Sequence, residues 1–161
     1  MAVLLYLDQN YLSGIVKRKP AFTELEPVLR DAVRRGVVKV PESATHRIES
    51  AVRSDLGLLE LLRGLSGGEQ LPPDPGALEL NVERRLRRFA DQHFPERHPR
   101  PSDELDLRAL AIALPRCRLV TCDAFMADVV RRAGLDRRFP CELFTGRRAD
   151  VLRLTERLRA L

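Results

Sequence analysis

The chain has 161 residues, 44% of them hydrophobic and 32% charged, with a formal net charge of +5. That length suits one domain, and the basic balance favours an anionic partner, most commonly nucleic acid. No apolar run approaches the ~20 residues of a membrane helix, and three cysteines without a C-x-x-C pair (Cys117, Cys122, Cys141) argue against both a disulfide framework and a zinc site.

In chain order, Val3 to Leu7 reads as a strand that is apolar at every position, the pattern of burial on both faces. Asn10 to Lys17 reads as a short helix broken by Pro20. Thr23 to Arg35 carries Leu25, Val28, Leu29, Ala32 and Val33 at helical spacing, with Gly36 as its stop. Val37 to Val40 is a second short strand, closed by Pro41. Glu42 to Arg63 reads as one long helix with the stripe Ile48, Ala51, Val52, Leu56, Leu59 and Leu62. Gly64 to Gly76 is a loop. Ala77 to His93 is a strongly basic helix, expected as a helical insertion over about residues 76–94 of a single domain spanning 1–161.

Phe94 to Pro101 is a second loop. Ser102 is expected to cap a helix that runs to about Leu114, with Asp103 and Glu104 in its first turn, where the helix dipole favours acids. Arg118 to Thr121 is a third strand, and Ala124 to Ala133 a helix ended by Gly134. Cys141 to Phe144 is a last strand and Asp150 to Leu161 a last helix. Short apolar strands alternating with helices imply an α/β fold: a three-layer α/β/α sandwich with a central parallel sheet, the first strand interior. Ligands in such sheets bind at the carboxyl ends of the strands.

The acids fall where that rule points. Asp8 ends the first strand, and Asp123 follows the third. Asp106 lies early in the helix before the third strand, and Glu49 in the helix after the second. Four like charges on one rim are costly without a cation, and hard oxygen ligands suit Mg²⁺ or Mn²⁺, ions that activate water and offset charge on a phosphodiester.

These residues resemble the PIN-domain ribonucleases, a family that includes the toxins of many bacterial toxin–antitoxin pairs. "YLDQN" (Tyr6 to Asn10) is similar to the family's opening strand with its first acid. "PESATHRIES" (Pro41 to Ser50) resembles the segment of the second acid, assigned to Glu49 with Glu42 as the alternative. "DLRALAIAL" from Asp106 resembles the third-acid helix, and "LVTCDAF" (Leu119 to Phe125) the T-x-D element with Asp123. Where the family often has a further acid two residues on, this chain has Phe125. The resemblance implies a PIN-like fold and a divalent-metal-dependent endoribonuclease; the unpaired cysteines and the lack of a signal peptide or membrane run point to the cytoplasm. Asp8, Glu49, Asp106 and Asp123 would be the nuclease's catalytic, metal-holding acids, and Asn10, Asp103 and Thr121 would support them. RNA is the implied substrate, with an antitoxin protein and a second copy of the chain as further partners. The alternative is a non-catalytic PIN-like module that binds RNA or a protein.

The residues also admit plainer roles. Asp8 and Asp123 suit helix caps, Asn10 and Ser13 suit capping or orienting Asp8, and Asp103 suits the first turn of its helix. Glu42, His46, Glu49 and Arg53 form a polar stripe that a solvated helix face explains as well as a site does. Glu83 to Arg100 is rich in arginine; Arg84, Arg85, Arg87 and Arg88 read either as a solvated face or as a clamp on RNA phosphates. A nucleotide-binding phosphate loop is not supported. "LSGGEQ" follows a helix, and neither G-x-x-x-x-G-K-[ST] nor G-x-G-x-x-G occurs. The N-terminus "MAVLLYLDQN" shows no basic region and no small-residue cleavage site, so no signal peptide is expected.

Overall fold

Four short strands form one sheet in the computed structural model, which describes residues 1–161. They are β1 (Val3–Tyr6), β2 (Val38–Lys39), β3 (Leu119–Thr121) and β4 (Glu142–Phe144), in the order β2-β1-β3-β4 and all parallel. Leu5 pairs with Leu119 and Tyr6 with Val120, which makes β1 and β3 the two interior strands.

Helices cover both faces. Along β1 the side chains alternate between two apolar cores. Leu5 and Leu7 join Leu119 and Phe144 in a core closed by α1 (Gln9–Val16), α2 (Phe22–Arg34), α4 (Leu58–Ser66) and α9 (Arg148–Arg159). Tyr6 joins Val120 and Leu143 in the other, closed by α5 (Ala77–His93), α6 (Pro101–Ala113), α7 (Ala124–Arg132) and α8 (Leu135–Arg138). A strand with a core on each side has no solvent-facing row, which is why β1 and β3 show no alternation. Strands this short make few ladder hydrogen bonds. Burial of leucines at roughly 1.5–3 kcal/mol each therefore holds the layers together. The basic α5 is part of this packing, since Val82 and Leu86 are fully buried against the same core as α6 and α7.

Two readings of the sequence need correction. The segment Glu42 to Arg63 is not one helix. Glu42 bridges to Gln70 beside the sheet, and α3 (Ala44–Val52) starts only after Ser43. A 3₁₀ turn (Ser54–Leu56) then leads to Gly57, whose left-handed φ of 64° redirects the chain into α4. The apolar stripe ran across this break, so its α3 half is exposed: Ile48 is 53% and Val52 83% accessible. The side chains that α3 buries are Thr45, His46 and Ser50. Second, α6 begins at Pro101 rather than after Ser102. Asp103 reaches back to accept the Arg100 backbone N–H at 2.8 Å, and proline sits at a helix-start position where its missing N–H costs nothing.

Candidate functional site

Strand order fixes where a crevice opens. The chain leaves β1 toward β2 and returns on the other side to β3, so the loops after β1 and β3 diverge at the carboxyl edge. A cleft of about 250 Å³ lies there, and Asp8, Glu49, Asp106 and Asp123 all line it, together with Asn10 and Thr121. Four segments far apart in sequence thus bring their acids to one place.

Asp8 and Asp123 are held alike. Each is the extended residue before a helix, and each accepts an N–H of the first turn through Oδ1. Asp8 takes Tyr11 N–H at 3.2 Å, and Asp123 takes Met126 N–H at 2.7 Å. Asp8 has a second anchor. The hydroxyl of Thr121 donates to its Oδ1 at 2.8 Å and accepts its backbone N–H at 2.8 Å, tying the end of β1 to the end of β3. Capping uses Oδ1 in both residues, and neither Oδ2 has a protein donor.

Glu49 and Asp106, on α3 and α6, make no hydrogen bond or ion pair. The contrast with the chain's buried acids is sharp: each of those has an arginine. Glu42 pairs with Arg47 and Arg63, Glu79 with Arg116, Glu83 with Arg87 and Arg108, and Asp103 with Arg97. Arg100 lines the cleft but pairs with none of its acids. Burial first, then mutual repulsion, raises the carboxyl pKa of Glu49 to about 7 and that of Asp106 to about 7. Burial also raises Asp8 to about 6, against the opposing hydrogen bonds from Thr121 and Tyr11.

This donor set of unpaired hard oxygens suits Mg²⁺ or Mn²⁺. The side chains do not close into a ready-made set of three or more metal ligands, so an ion here would be held partly through water, as Mg²⁺ usually is.

Glu42, the alternative second acid, lies outside the cleft, its carboxyl held below the usual range by Arg63 and Arg47 despite burial. Asp103 also lies outside. Arg97 forks onto its carboxylate at 2.5 and 3.2 Å and holds its pKa below the usual range. Among the α5 arginines, Arg84 bonds Asn81 and the Leu80 carbonyl, Arg85 the Ala133 carbonyl, and Arg87 both Glu83 and Glu104. Arg88 is exposed and unpaired, and none of these four lines the cleft.

Two residues gain roles that their sequence context did not announce. His46 belongs to no solvated face: it is fully buried and stacks on Tyr6 at 5.2 Å. Its Nε2 lies 2.5 Å from the Leu7 carbonyl, and Ser43 N–H donates to its Nδ1 at 3.0 Å. A carbonyl only accepts, so Nε2 carries the proton and the ring is neutral. Burial lowers its pKa to about 4. His46 therefore joins α3, which carries Glu49, to the residue before Asp8. Gln9 lines the cleft, and both polar atoms of its amide are buried without a partner. A histidine three residues before a candidate acid was the only available signal for the first; nothing signalled the second.

No protein-family model, no curated protein and no solved structure matches this chain.

Proposed function

We propose that the protein is a divalent-metal-dependent endoribonuclease of PIN type that hydrolyses RNA phosphodiesters. One observation carries the reading. In a chain where arginines neutralise the buried acids elsewhere, four carboxylates from four separate segments line one cleft and none of them is in an ion pair. Such an arrangement opposes its own stability unless a bound cation completes it.

In this reading Asp8, Glu49, Asp106 and Asp123 hold Mg²⁺ or Mn²⁺. Bound there, such an ion would supply Lewis-acid activation of water and offset negative charge on the phosphodiester. Thr121 fixes the orientation of Asp8, and the N-capping bonds of Asp8 and Asp123 leave Oδ2 of each for the cleft. Arg100, on the same wall, faces the incoming phosphate as the cleft's own cation. A cytoplasmic setting and a paired antitoxin belong to the same reading. No helix in the chain is long and apolar enough to cross a membrane.

A second reading, a PIN-like module that binds RNA or a protein without cutting, draws on the carboxylates not closing into a ready-made ligand set. Titrating Mn²⁺ against a structured RNA separates the two. Metal-dependent cleavage that Asp8→Asn and Asp106→Asn each abolish supports the nuclease, whereas intact RNA at millimolar Mn²⁺ supports the binding module.

A further inference from the structure

Two open grooves, of about 350 and 510 Å³, continue from the acidic cleft. The first shares Asn10 and Asp123 with the cleft, and the second carries on through Ala124, Thr145 and Arg147. Lys19 and Arg147 line the first, Arg131 and Arg147 the second. All three cations are exposed, and none has a carboxylate partner. The further acids in these walls are already neutralised: Asp150 is bonded by Thr145 and Arg153, and Asp128 pairs with Arg132. In addition, α9 begins at Arg148 without a side-chain cap, and its first-turn residues Ala149 and Asp150 line the second groove, so the positive end of its dipole favours negative charge there. The walls offer cations and backbone rather than exposed aromatic faces, which is the chemistry of phosphate contact rather than base stacking.

We infer that a single-stranded polynucleotide lies with its phosphate backbone along these grooves as it enters the cleft, held by Lys19, Arg131 and Arg147. The inference rests on the nuclease reading for what happens in the cleft, but not for the binding. It also sets this path against the α5 arginines, three of which are engaged within the fold.

The test is fluorescence anisotropy of a labelled single-stranded RNA, with a DNA of the same sequence alongside, in chelator so that nothing is cut. Wild type, the triple variant Lys19→Ser/Arg131→Ser/Arg147→Ser and the triple variant Arg84→Ser/Arg85→Ser/Arg88→Ser are compared between about 50 and 200 mM salt. Removing three phosphate contacts lowers the salt slope of the first variant by about two and weakens binding at 100 mM salt at least about tenfold. The α5 variant shows the smaller change. Equal losses for RNA and DNA assign the grooves to the shared phosphodiester, and a loss for RNA alone adds a ribose contact. Three results overturn the inference: an unchanged slope in the groove variant, no binding by wild type, or polyglutamate displacing RNA as well as competitor RNA does, which assigns the grooves to an acidic protein segment. A groove variant that loses binding in a protein that cuts no RNA with Mn²⁺ keeps the inference and removes the nuclease reading.

Discussion

One hydroxyl joins the two interior strands at the site: Thr121 Oγ1 lies 2.8 Å from both the backbone nitrogen and the carboxylate Oδ1 of Asp8. Thr121→Val keeps the shape and removes both bonds, leaving an N–H and a carboxylate oxygen short of a partner. We expect a loss of about 1–3 kcal/mol in denaturant unfolding, with Thr121→Ser close to wild type. The Asp8 carboxyl, no longer favoured in its ionised form by that hydroxyl, should titrate higher still by NMR. A Val variant as stable as wild type would show that the bond only fills space.

Asp106 has no partner and a raised pKa, so removing its charge relieves repulsion. In the metal-free protein at pH 8, Asp106→Asn should be more stable by about 1–2 kcal/mol, less than the whole shift implies because water and salt screen an open cleft. If the cleft holds the proposed metal through Asp106, the order should reverse with millimolar Mn²⁺, because wild type would gain more from binding. Paired thermal melts with and without metal read both effects.

The pH dependence has a defined sign. Folding raises Asp8 from 3.8 to about 6, Glu49 from 4.5 to about 7 and Asp106 from 3.8 to about 7. Between these limits the folded state binds more protons, so the three groups destabilise the metal-free protein progressively as pH rises from about 4 to about 7. His46 acts in the opposite sense: its folded pKa is about 4 against 6.5 unfolded, so its contribution grows as pH rises over the same window. Subtraction isolates the acids. The stability of Asp8→Asn/Glu49→Gln/Asp106→Asn minus that of wild type should be small near pH 4 and rise to a plateau near pH 8. A difference that does not change with pH would contradict the shared-repulsion account.

His46→Phe preserves the ring stacked on Tyr6 but strands the Leu7 carbonyl and the Ser43 N–H. The cost should be about 1–3 kcal/mol by chemical denaturation. Since His46 sets the distance between the first and second acids, the variant should also show a smaller Mn²⁺-dependent rise in melting temperature than wild type.

Gln9→Met removes an amide whose two polar atoms are buried without partners and keeps its length. The metal-free variant should be more stable by about 1 kcal/mol. A variant that is less stable would show that the amide is paired in solution, by water or by a ligand of the cleft.

Much of this was legible in the chain. Val3 to Leu7 and Leu119 to Thr121 betrayed strands with a core on each face because consecutive residues there are apolar or buried rather than alternating, and the parallel order follows from the helices between them. Asp8, Glu49, Asp106 and Asp123 were placed on one rim by the same rule. What stayed hidden was decided by side-chain partners, which periodicity does not encode. Glu42 and Glu49 share one polar spacing in the sequence, yet Glu42 falls outside α3, where Arg47 and Arg63 claim it, and nothing claims Glu49. Arg85 and Arg87 looked free because the Ala133 carbonyl and Glu104, their respective partners, are distant in sequence. Gly57 ended a helix whose apolar spacing continued across the break, since α4 resumes the same periodicity in a new direction.

The double duty of Asp8 and Asp123 bears on how any wider set of related sequences is to be judged. An aspartate retained at either position is weak testimony to chemistry, because starting α1 or α7 is reason enough to keep it, and asparagine or serine there would preserve the helix while ending the proposed activity. Glu49 and Asp106 start nothing and pair with nothing. If the proposed nuclease reading holds, a lineage that had given up cutting would be free to lose these two first, so they are the positions at which cutting and non-cutting copies should part.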